Sequence, residues 1–268
     1  MPRTRGLLVV AALAAGSVGG LSGAAYTLLN TQSRRARTLI GVPRDAPFNA
    51  DGDYFPDGSG PAPLGAAGAA VEFGVFGDSS AAGLGAETPD LLPGVLLARG
   101  LAEECDRAVR LRTYAVSGSR TTGLVAQVDR ALAAPPAVAL ILVGGNDVTA
   151  RLAISTSAAL LATQVRRLTE AGTAVVVGTC PDLGAIQPIP QPLRSVARKW
   201  SLALGRAQAR ALVATSAAVV PMTLLSRHFL TRPGELFSSD RFHPNGAGYA
   251  LAAGLLLPAL CGATGTPR

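Results

Sequence analysis

The chain has 268 residues, enough for one α/β domain with a short appendage but too few for two catalytic domains. Hydrophobic residues make up 49% of the chain and charged residues only 15%, a composition that excludes general disorder. Five arginines within residues 1–40 account for most of the formal net charge of +7, because the remaining 19 basic residues nearly balance 17 acidic ones. No basic stripe remains that would neutralise phosphates, so no nucleic-acid partner is expected.

The first predicted element is an uncharged, apolar stretch from Gly6 to Leu29, which as a helix at ~1.5 Å per residue would span the ~30 Å of membrane hydrocarbon. It follows Arg3 and Arg5 and holds a small-x-small pattern at residues 22–24 that suits a signal peptidase. Residues 1–30 are therefore predicted to be a signal peptide or a membrane anchor of an exported protein, secreted or held in the cell envelope. The five glycines of the stretch disfavour a third alternative, a buried soluble helix.

Residues 31–70 hold five prolines and several glycines and are predicted to be a linker. From residue 71 short apolar, β-branched runs alternate with longer helical stretches, which predicts a domain over residues 71–262 and a short tail over residues 263–268. The predicted strands are Val71–Gly77, Val109–Val116, Ala137–Val143, Thr173–Thr179 and Ala217–Pro221. The predicted helices are Leu92–Cys105, Gly123–Ala133, Ala153–Ala171, Leu193–Ala214 and Gly246–Leu260. Strict alternation predicts a three-layer α/β/α sandwich with a five-stranded, flavodoxin-like parallel sheet.

Polar residues follow the predicted strands, at the sheet edge where ligands collect in such folds. Ser79 comes directly after the first strand in a run of small residues, a position that suits a nucleophile as well as a plain turn. A serine needs a general base, and the chain has only two histidines. His228 lies in an apolar stretch and is predicted to be a half-buried packing residue. His243 lies in a loop three residues after Asp240, whose carboxylate can orient the imidazole.

Two further strand ends offer hydrogen-bond donors for the oxygen that becomes negative during acyl transfer. Gly118 follows the second strand, and its backbone N–H can approach a ligand closely. Asn146 follows the third strand, and its side-chain amide can donate beside that glycine. Taken singly, each position also fits a tight turn or a helix cap.

In chain order, four blocks resemble those of the SGNH (GDSL-like) hydrolase family: Gly77-Asp78-Ser79, the glycine of Val116-Ser117-Gly118, Gly145-Asn146-Asp147, and Asp240-x-x-His243. The resemblance spans Val71–Leu260. It implies a serine esterase or lipase in which Ser79 is the nucleophile, His243 the base and Asp240 its orienting carboxylate. It further implies an oxyanion hole made by the Ser79 and Gly118 N–H groups and the Asn146 amide. Ser80 departs from the family, where leucine is frequent, and neither Asp78 nor Asp147 is expected to be catalytic.

The function expected from these residues is hydrolysis of carboxylic esters, of short to medium acyl chains or of lipids, through an acyl-enzyme. An O-acyltransferase or deacetylase acting on a cell-envelope glycan is an alternative that uses the same triad. A non-catalytic binding domain and a phosphate- or nucleotide-binding protein rank lower, because the triad is intact and no P-loop lysine is present.

No cofactor is expected. The three cysteines and two histidines lack the spacing of a metal-binding motif, so no structural metal is expected either. Cys105, Cys180 and Cys261 fit one disulfide with a leftover thiol, or three reduced side chains, and the sequence does not name a pair. Cys180 follows the fourth strand but is not expected to be a nucleophile. Trp200 is predicted to pack on a helix, and the loop Leu183–Pro192 to border the acyl pocket.

Overall fold

The computed structural model of the protein describes residues 23–36, 38–40 and 46–265. Most of the apolar segment predicted over Gly6–Leu29 lies outside the described residues, and so do residues 266–268 of the predicted tail. The described remainder of the segment, residues 23–29, belongs to a helix, α1, whose helical residues run from 23 to 36.

Six strands form one sheet in the order β1-β3-β2-β4-β5-β6. The strands are β1 (Gly52–Tyr54), β2 (Val71–Gly77), β3 (Val109–Thr113), β4 (Val138–Leu142), β5 (Ala174–Gly178) and β6 (Ala218–Val220). Strands β2 to β6 pair in parallel, with Val71 opposite Val109 and Phe73 opposite Val138, whereas β1 pairs antiparallel with β3. The five predicted strands are confirmed, each within three residues of its predicted bounds. The continuous apolar runs of β4, β5 and β6 are typical of parallel strands covered on both faces.

Helices cover both faces of the sheet. They are α2 (Pro93–Cys105), α3 (Leu124–Ala131), α4 (Gly145–Thr149), α5 (Ile154–Glu170), α6 (Leu193–Leu212), α7 (Ser226–Thr231), α8 (Pro233–Leu236) and α9 (Gly246–Ala263). Helices α2 and α9 cover one face, where Val75 and Leu140 point, and helices α3, α5 and α6 cover the other, where Phe76 and Ile141 point. Because neighbouring residues of a strand point to opposite faces, each strand feeds both cores. The predicted three-layer α/β/α sandwich is thereby confirmed.

The predicted linker over residues 31–70 is wrong in part, because it contributes the sixth strand. Asp53 of β1 is fully buried and accepts two hydrogen bonds from Arg110 of β3, at 2.7 and 3.0 Å. Tyr54 is also fully buried, and its hydroxyl donates to the Ala50 carbonyl at 2.6 Å. A charge-assisted pair and one buried aromatic ring therefore hold a strand that composition alone assigns to a tether.

Helix α9 is the one helix in the described part of the chain that is long and apolar enough to cross a membrane. It packs along α2, where Gly100 leaves room for Leu257, and it buries Leu256 and Leu260 in the core beneath the sheet. Its apolar composition is that of a helix packed in a core.

Candidate active site

The turn after β2 exposes Ser79 at the carboxyl edge of the sheet. Gly77 ends the strand at φ +135°, and a Cβ there would lie 1.8 Å from the Leu142 carbonyl oxygen of β4. Only glycine can make this approach. The following residues turn sharply, with the Leu84 N–H donating to the Ser79 carbonyl at 2.9 Å. The close contact of β2 with β4 at Gly77 thus turns the chain in such a way that Ser79 lies at the carboxyl edge of the sheet.

The loop before α9 carries the base. Phe237 and Pro244 form an isolated antiparallel bridge, and the Ser238 N–H donates to the His243 carbonyl at 2.8 Å, so the loop closes on itself. Inside it one oxygen of Asp240 accepts hydrogen bonds from the Ser238 hydroxyl and the Phe242 N–H, both at 2.8 Å. The same oxygen accepts from the His243 N–H at 2.9 Å. These three hydrogen bonds fix the carboxylate of Asp240 without any contribution from the imidazole ring.

The structure brings the three predicted triad residues together. The His243 Nε2 atom lies 2.9 Å from Ser79 Oγ, and Nδ1 lies 2.6 Å from Asp240 Oδ2. Ser79 is 7% exposed and His243 6%, so the hydrogen bond between them is shielded from bulk solvent. Each contact is within the 2.6–3.2 Å at which a base can take a proton from a nucleophile.

The hydrogen bonds to Asp240 keep it charged. Burial by itself raises the pKa of Asp240, but the bonds from His243, Phe242 and Ser238 outweigh burial and leave that pKa below the ordinary value. An ionised carboxylate on Nδ1 holds the proton on that nitrogen and leaves Nε2 free to accept one from serine.

The residues predicted to form the oxyanion hole are Ser79, Gly118 and Asn146, and each of them offers a hydrogen-bond donor. Gly118 adopts φ +78°, a left-handed conformation that favours glycine. The N–H groups of Ser79 and Gly118 make no hydrogen bond within the described part of the chain. One Asn146 amide hydrogen is used by the Ser119 carbonyl at 3.0 Å, which fixes the side chain and leaves its second hydrogen to donate.

Two acidic residues beside the site are buried. Asp147 accepts from the Thr121 N–H at 3.2 Å and from the Thr121 hydroxyl at 3.0 Å, and so ties α4 to the loop after β3. Asp78 accepts from the Ser80 N–H at 3.0 Å, and its burial raises its pKa to about 6. Neither carboxylate hydrogen-bonds Ser79 or His243, which agrees with the expectation that they stand outside the triad.

A buried glutamine joins these loops, and the sequence analysis missed it. Gln127 is 1% exposed; its Oε1 accepts from the Gly77 N–H at 2.8 Å and its Nε2 donates to the Gly77 carbonyl at 2.9 Å. Nε2 also lies 3.3 Å from the Ser119 hydroxyl, next to Gly118. The available signal is a polar residue on the apolar face of α3, between Leu124 and Ala131.

An apolar pocket of about 140 Å³ opens beside Ser79. The prediction that the loop Leu183–Pro192 borders the acyl pocket is confirmed, since Leu183, Ala185 and Ile186 form part of its wall. Further large apolar residues of the wall include Met222, Leu225, Phe229, Phe237, Phe242 and Leu256. An apolar wall next to a nucleophile suits the hydrocarbon part of a substrate.

Other residues singled out in the sequence lie apart from the reaction. The prediction that His228 is a half-buried packing residue is wrong: it is exposed on α7, 3.3 Å from the Arg232 guanidinium. Cys180 is fully buried beneath the site, and burial raises the pKa of its thiol well above the usual value. Trp200 is half-buried on α6 in the cluster around Leu183. Among the described residues, no group of three or more His, Cys, Asp or Glu side chains could hold a metal.

The fold and site are those of a known hydrolase class. Residues 75–251 match the model of the GDSL-like Lipase/Acylhydrolase family, so the chain belongs to that family and is a carboxylic ester hydrolase. The chain is 44% identical over 270 residues to the GDSL-like esterase Rv1075c of Mycobacterium tuberculosis (strain ATCC 25618 / H37Rv), with 97% of this chain and 84% of that relative covered.

Solved structures of low identity share the fold. The lipase Lip_vut3 from a goat rumen metagenome is 21% identical with a TM-score of 0.58, covering 74% of this chain and 99% of its own. TesA is 24% identical with a TM-score of 0.59, covering 72% and 99%. A catalytic mutant of Axe2, an acetylxylan esterase from Geobacillus stearothermophilus, is 19% identical with a TM-score of 0.57, covering 73% and 94%.

Proposed function

We propose that the protein hydrolyses carboxylic esters through an acyl-enzyme formed on Ser79. The observation that carries this proposal is the continuous pair of contacts from Ser79 Oγ to His243 at 2.9 Å and from His243 to Asp240 at 2.6 Å. Ser79 Oγ attacks the ester carbonyl carbon while Nε2 of His243 takes the hydroxyl proton. Asp240 stays ionised throughout and stabilises the imidazolium.

The oxyanion of the tetrahedral intermediate would be bound by the N–H groups of Ser79 and Gly118 and by the Asn146 amide. When the intermediate collapses, the carbon–oxygen bond to the alcohol breaks and His243 returns its proton to the leaving oxygen. In the second half of the reaction, His243 takes a proton from a water molecule, and this water attacks the carbonyl carbon of the acyl group on Ser79. The acid leaves, and the Ser79 hydroxyl regains its proton.

The pocket supports an aliphatic acyl group of short to medium length. Its volume of about 140 Å³ is close to that of an engineered apolar cavity of ~150 Å³ that binds benzene, so roughly six carbons fill it. Its walls, Met222, Phe229 and Leu256 among them, offer hydrocarbon where a glycan would need polar partners. This lining favours aliphatic esters over the alternative of a cell-envelope glycan as substrate.

Export to the cell envelope is part of the same proposal. It rests on the uncharged stretch Gly6–Leu29 that follows Arg3 and Arg5. Fractionation of cells expressing the full chain, with mass spectrometry of the N-terminus, tests it. Recovery of an uncleaved chain in the cytosol would contradict it.

The test of the reaction is the hydrolysis of p-nitrophenyl esters from acetate to palmitate by the full-length protein. We expect a maximum at short to medium chains and a loss of roughly 10⁴-fold or more in kcat for Ser79→Ala and for His243→Ala. An organophosphorus ester should label Ser79 in the unaltered protein and fail to label Ser79→Ala. Turnover that survives in Ser79→Ala would overturn the proposed nucleophile.

A further inference from the structure

A second apolar cavity, of about 310 Å³, lies beside the acyl pocket. Its walls come from α1, the residues at the end of α4, the first half of α6, the loop after β5 and the loop before α9. Leu29, Ala36, Val148, Ile189 and Trp200 are among the residues that line it. No step of the mechanism described above uses this space.

Two side chains belong to the walls of both cavities. Leu183 and Phe242 face the acyl pocket on one side and the second cavity on the other. Phe242 precedes His243 in the chain and packs edge-on against its imidazole, with ring centroids 4.8 Å apart. The second cavity is therefore separated from the catalytic base by a single aromatic ring.

The proton transfer from His243 indicates which half of an ester would point toward the second cavity. His243 must deliver its proton to the leaving alcohol oxygen, so the alcohol lies on the side of the imidazole. The acyl group, bonded to Ser79, occupies the first pocket. A long alcohol chain that runs past His243 is directed toward the second cavity, whose wall on that side is the Phe242 ring.

We infer that the second cavity binds the hydrocarbon chain of the alcohol half of the substrate, which makes the enzyme selective for esters of aliphatic alcohols. This inference rests on the proposed reaction at Ser79. The cavity has about twice the volume of a ~150 Å³ apolar cavity that holds benzene, so it accommodates a chain of roughly ten carbons.

The wall formed by α1 is held in place by polar contacts rather than by apolar packing alone. Arg151 donates to the Asn30 side chain at 2.6 Å, and its guanidinium lies 5.9 Å from the ring centroid of Tyr26. Gln32 accepts from the Leu193 N–H at 3.0 Å and donates to the Gln191 carbonyl at 2.5 Å. These contacts fix α1 across the cavity.

Arg151 also sets the charge of this site. It lines the cavity, and none of the described residues in the lining is acidic. A positive charge at the wall repels a cationic alcohol and tolerates a neutral or anionic one. The expected ligand class is thus an uncharged or anionic aliphatic alcohol, not a quaternary ammonium alcohol.

The experiment compares ethyl butanoate with octyl butanoate, which share one acid and differ only in the alcohol. Release of butanoate by the full-length protein is followed at constant pH in one fixed co-solvent. We expect kcat/KM to be higher for the octyl ester, and Ala197→Phe, which fills the cavity from α6, to lower the octyl-to-ethyl ratio roughly tenfold. Ala209→Phe, on the same helix but outside both cavities, is the matched control and should leave the ratio unchanged.

A second variant works in the opposite direction. Trp200→Ala enlarges the cavity and should move the optimum toward longer or branched alcohols, as measured with butanoate esters of increasing alcohol length. An octyl-to-ethyl ratio that stays the same in both Ala197→Phe and Trp200→Ala would overturn the inference. Failure of the unaltered protein to hydrolyse either ester would instead contradict the proposed reaction, so the two failures are distinguishable.

Discussion

Asp53 and Asp240 are each paired with a basic side chain, and the two pairs serve different ends. Asp53 lies at the edge of the sheet with its side chain fully buried and 2.7 Å from Arg110. Asp240 lies at the catalytic edge, where its side chain keeps 20% of its exposure and contacts His243 at 2.6 Å. Arg110 keeps its proton at any ordinary pH, whereas the imidazole of His243 can accept and release a proton during a reaction. The first pair can therefore hold a strand permanently, and the second can pass a proton.

The two carboxylates also differ in where their hydrogen-bond donors come from along the chain. Arg110, above all, lowers the pKa of Asp53, and the Ala67 and Gly65 N–H groups add to the effect against burial. Around Asp240 three of the donors belong to its own loop, so the carboxylate organises the residues that carry the base. One pair joins segments distant in sequence, and the other shapes a local turn.

The largest expected effect breaks the catalytic pair. Asp240→Asn should lower kcat by about 10⁴-fold, because the amide favours the wrong imidazole tautomer. Its free energy of unfolding should change far less than its rate, since an amide oxygen still accepts from the loop. Kinetics on p-nitrophenyl butyrate together with urea unfolding measure both. An Asp240→Asn protein that keeps a tenth or more of the activity would refute the role given to Asp240.

The next effect breaks the structural pair. Asp53→Asn leaves Arg110 without its main partner in a buried place and should lower the free energy of unfolding by about 3 kcal/mol. Activity measured well below the melting temperature should remain near that of the unaltered protein. If activity falls in proportion to stability at low temperature, strand β1 would also support the site, and the contrast between the two pairs would fail.

A smaller effect is expected at Gln127, a neutral side chain that connects the two loops nearest the oxyanion. Gln127→Leu should lower kcat by about 10- to 100-fold with KM little changed, because the donors shift relative to Ser79. Gln164→Leu is the matched control: Gln164 is also buried in a helix, but it bonds Arg167 and contacts no catalytic loop. Equal losses of kcat in the two variants would show that Gln127 only supports the fold.

The smallest effect is the pH dependence of the structural pair. The pKa of Asp53 is lowered in the folded state, so its contribution to stability is full above the unfolded value of ~4 and is lost as the pH falls through the folded pKa. The stability gap between the unaltered protein and Asp53→Asn should thus narrow from pH 7 toward pH 3. Urea unfolding at each pH measures the gap, and a gap that widens in acid would reverse this sign.

The sequence predicts the sheet and the triad well for physical reasons. Strands such as Val138–Leu142 are apolar without interruption, which few other elements of that length can be. Ser79, Asn146 and His243 are polar residues placed where parallel strands end or the last helix begins, and such strand ends meet at one edge of the sheet. Local patterns therefore contain most of the information about this edge.

Other features depend on contacts that no local pattern contains. Strand β1 has the sequence Gly-Asp-Tyr, which has little intrinsic preference for a strand, and it pairs because Asp53 meets Arg110 far along the chain. The exposure of His228 depends on where the short helix α7 lies, not on its apolar neighbours in sequence. The second cavity needs α1 laid across α6, and composition in residues 31–70 suggested only a tether.

The position of α9 has a consequence for how the protein tolerates change at its end. The helix begins three residues after His243 and stays in place because Leu256 and Leu260 are buried in the core. Loss of residues 256–268, for example by a premature stop, would release that attachment and with it the loop that carries His243. An enzyme truncated there would still contain every residue of the proposed triad and yet lose its activity.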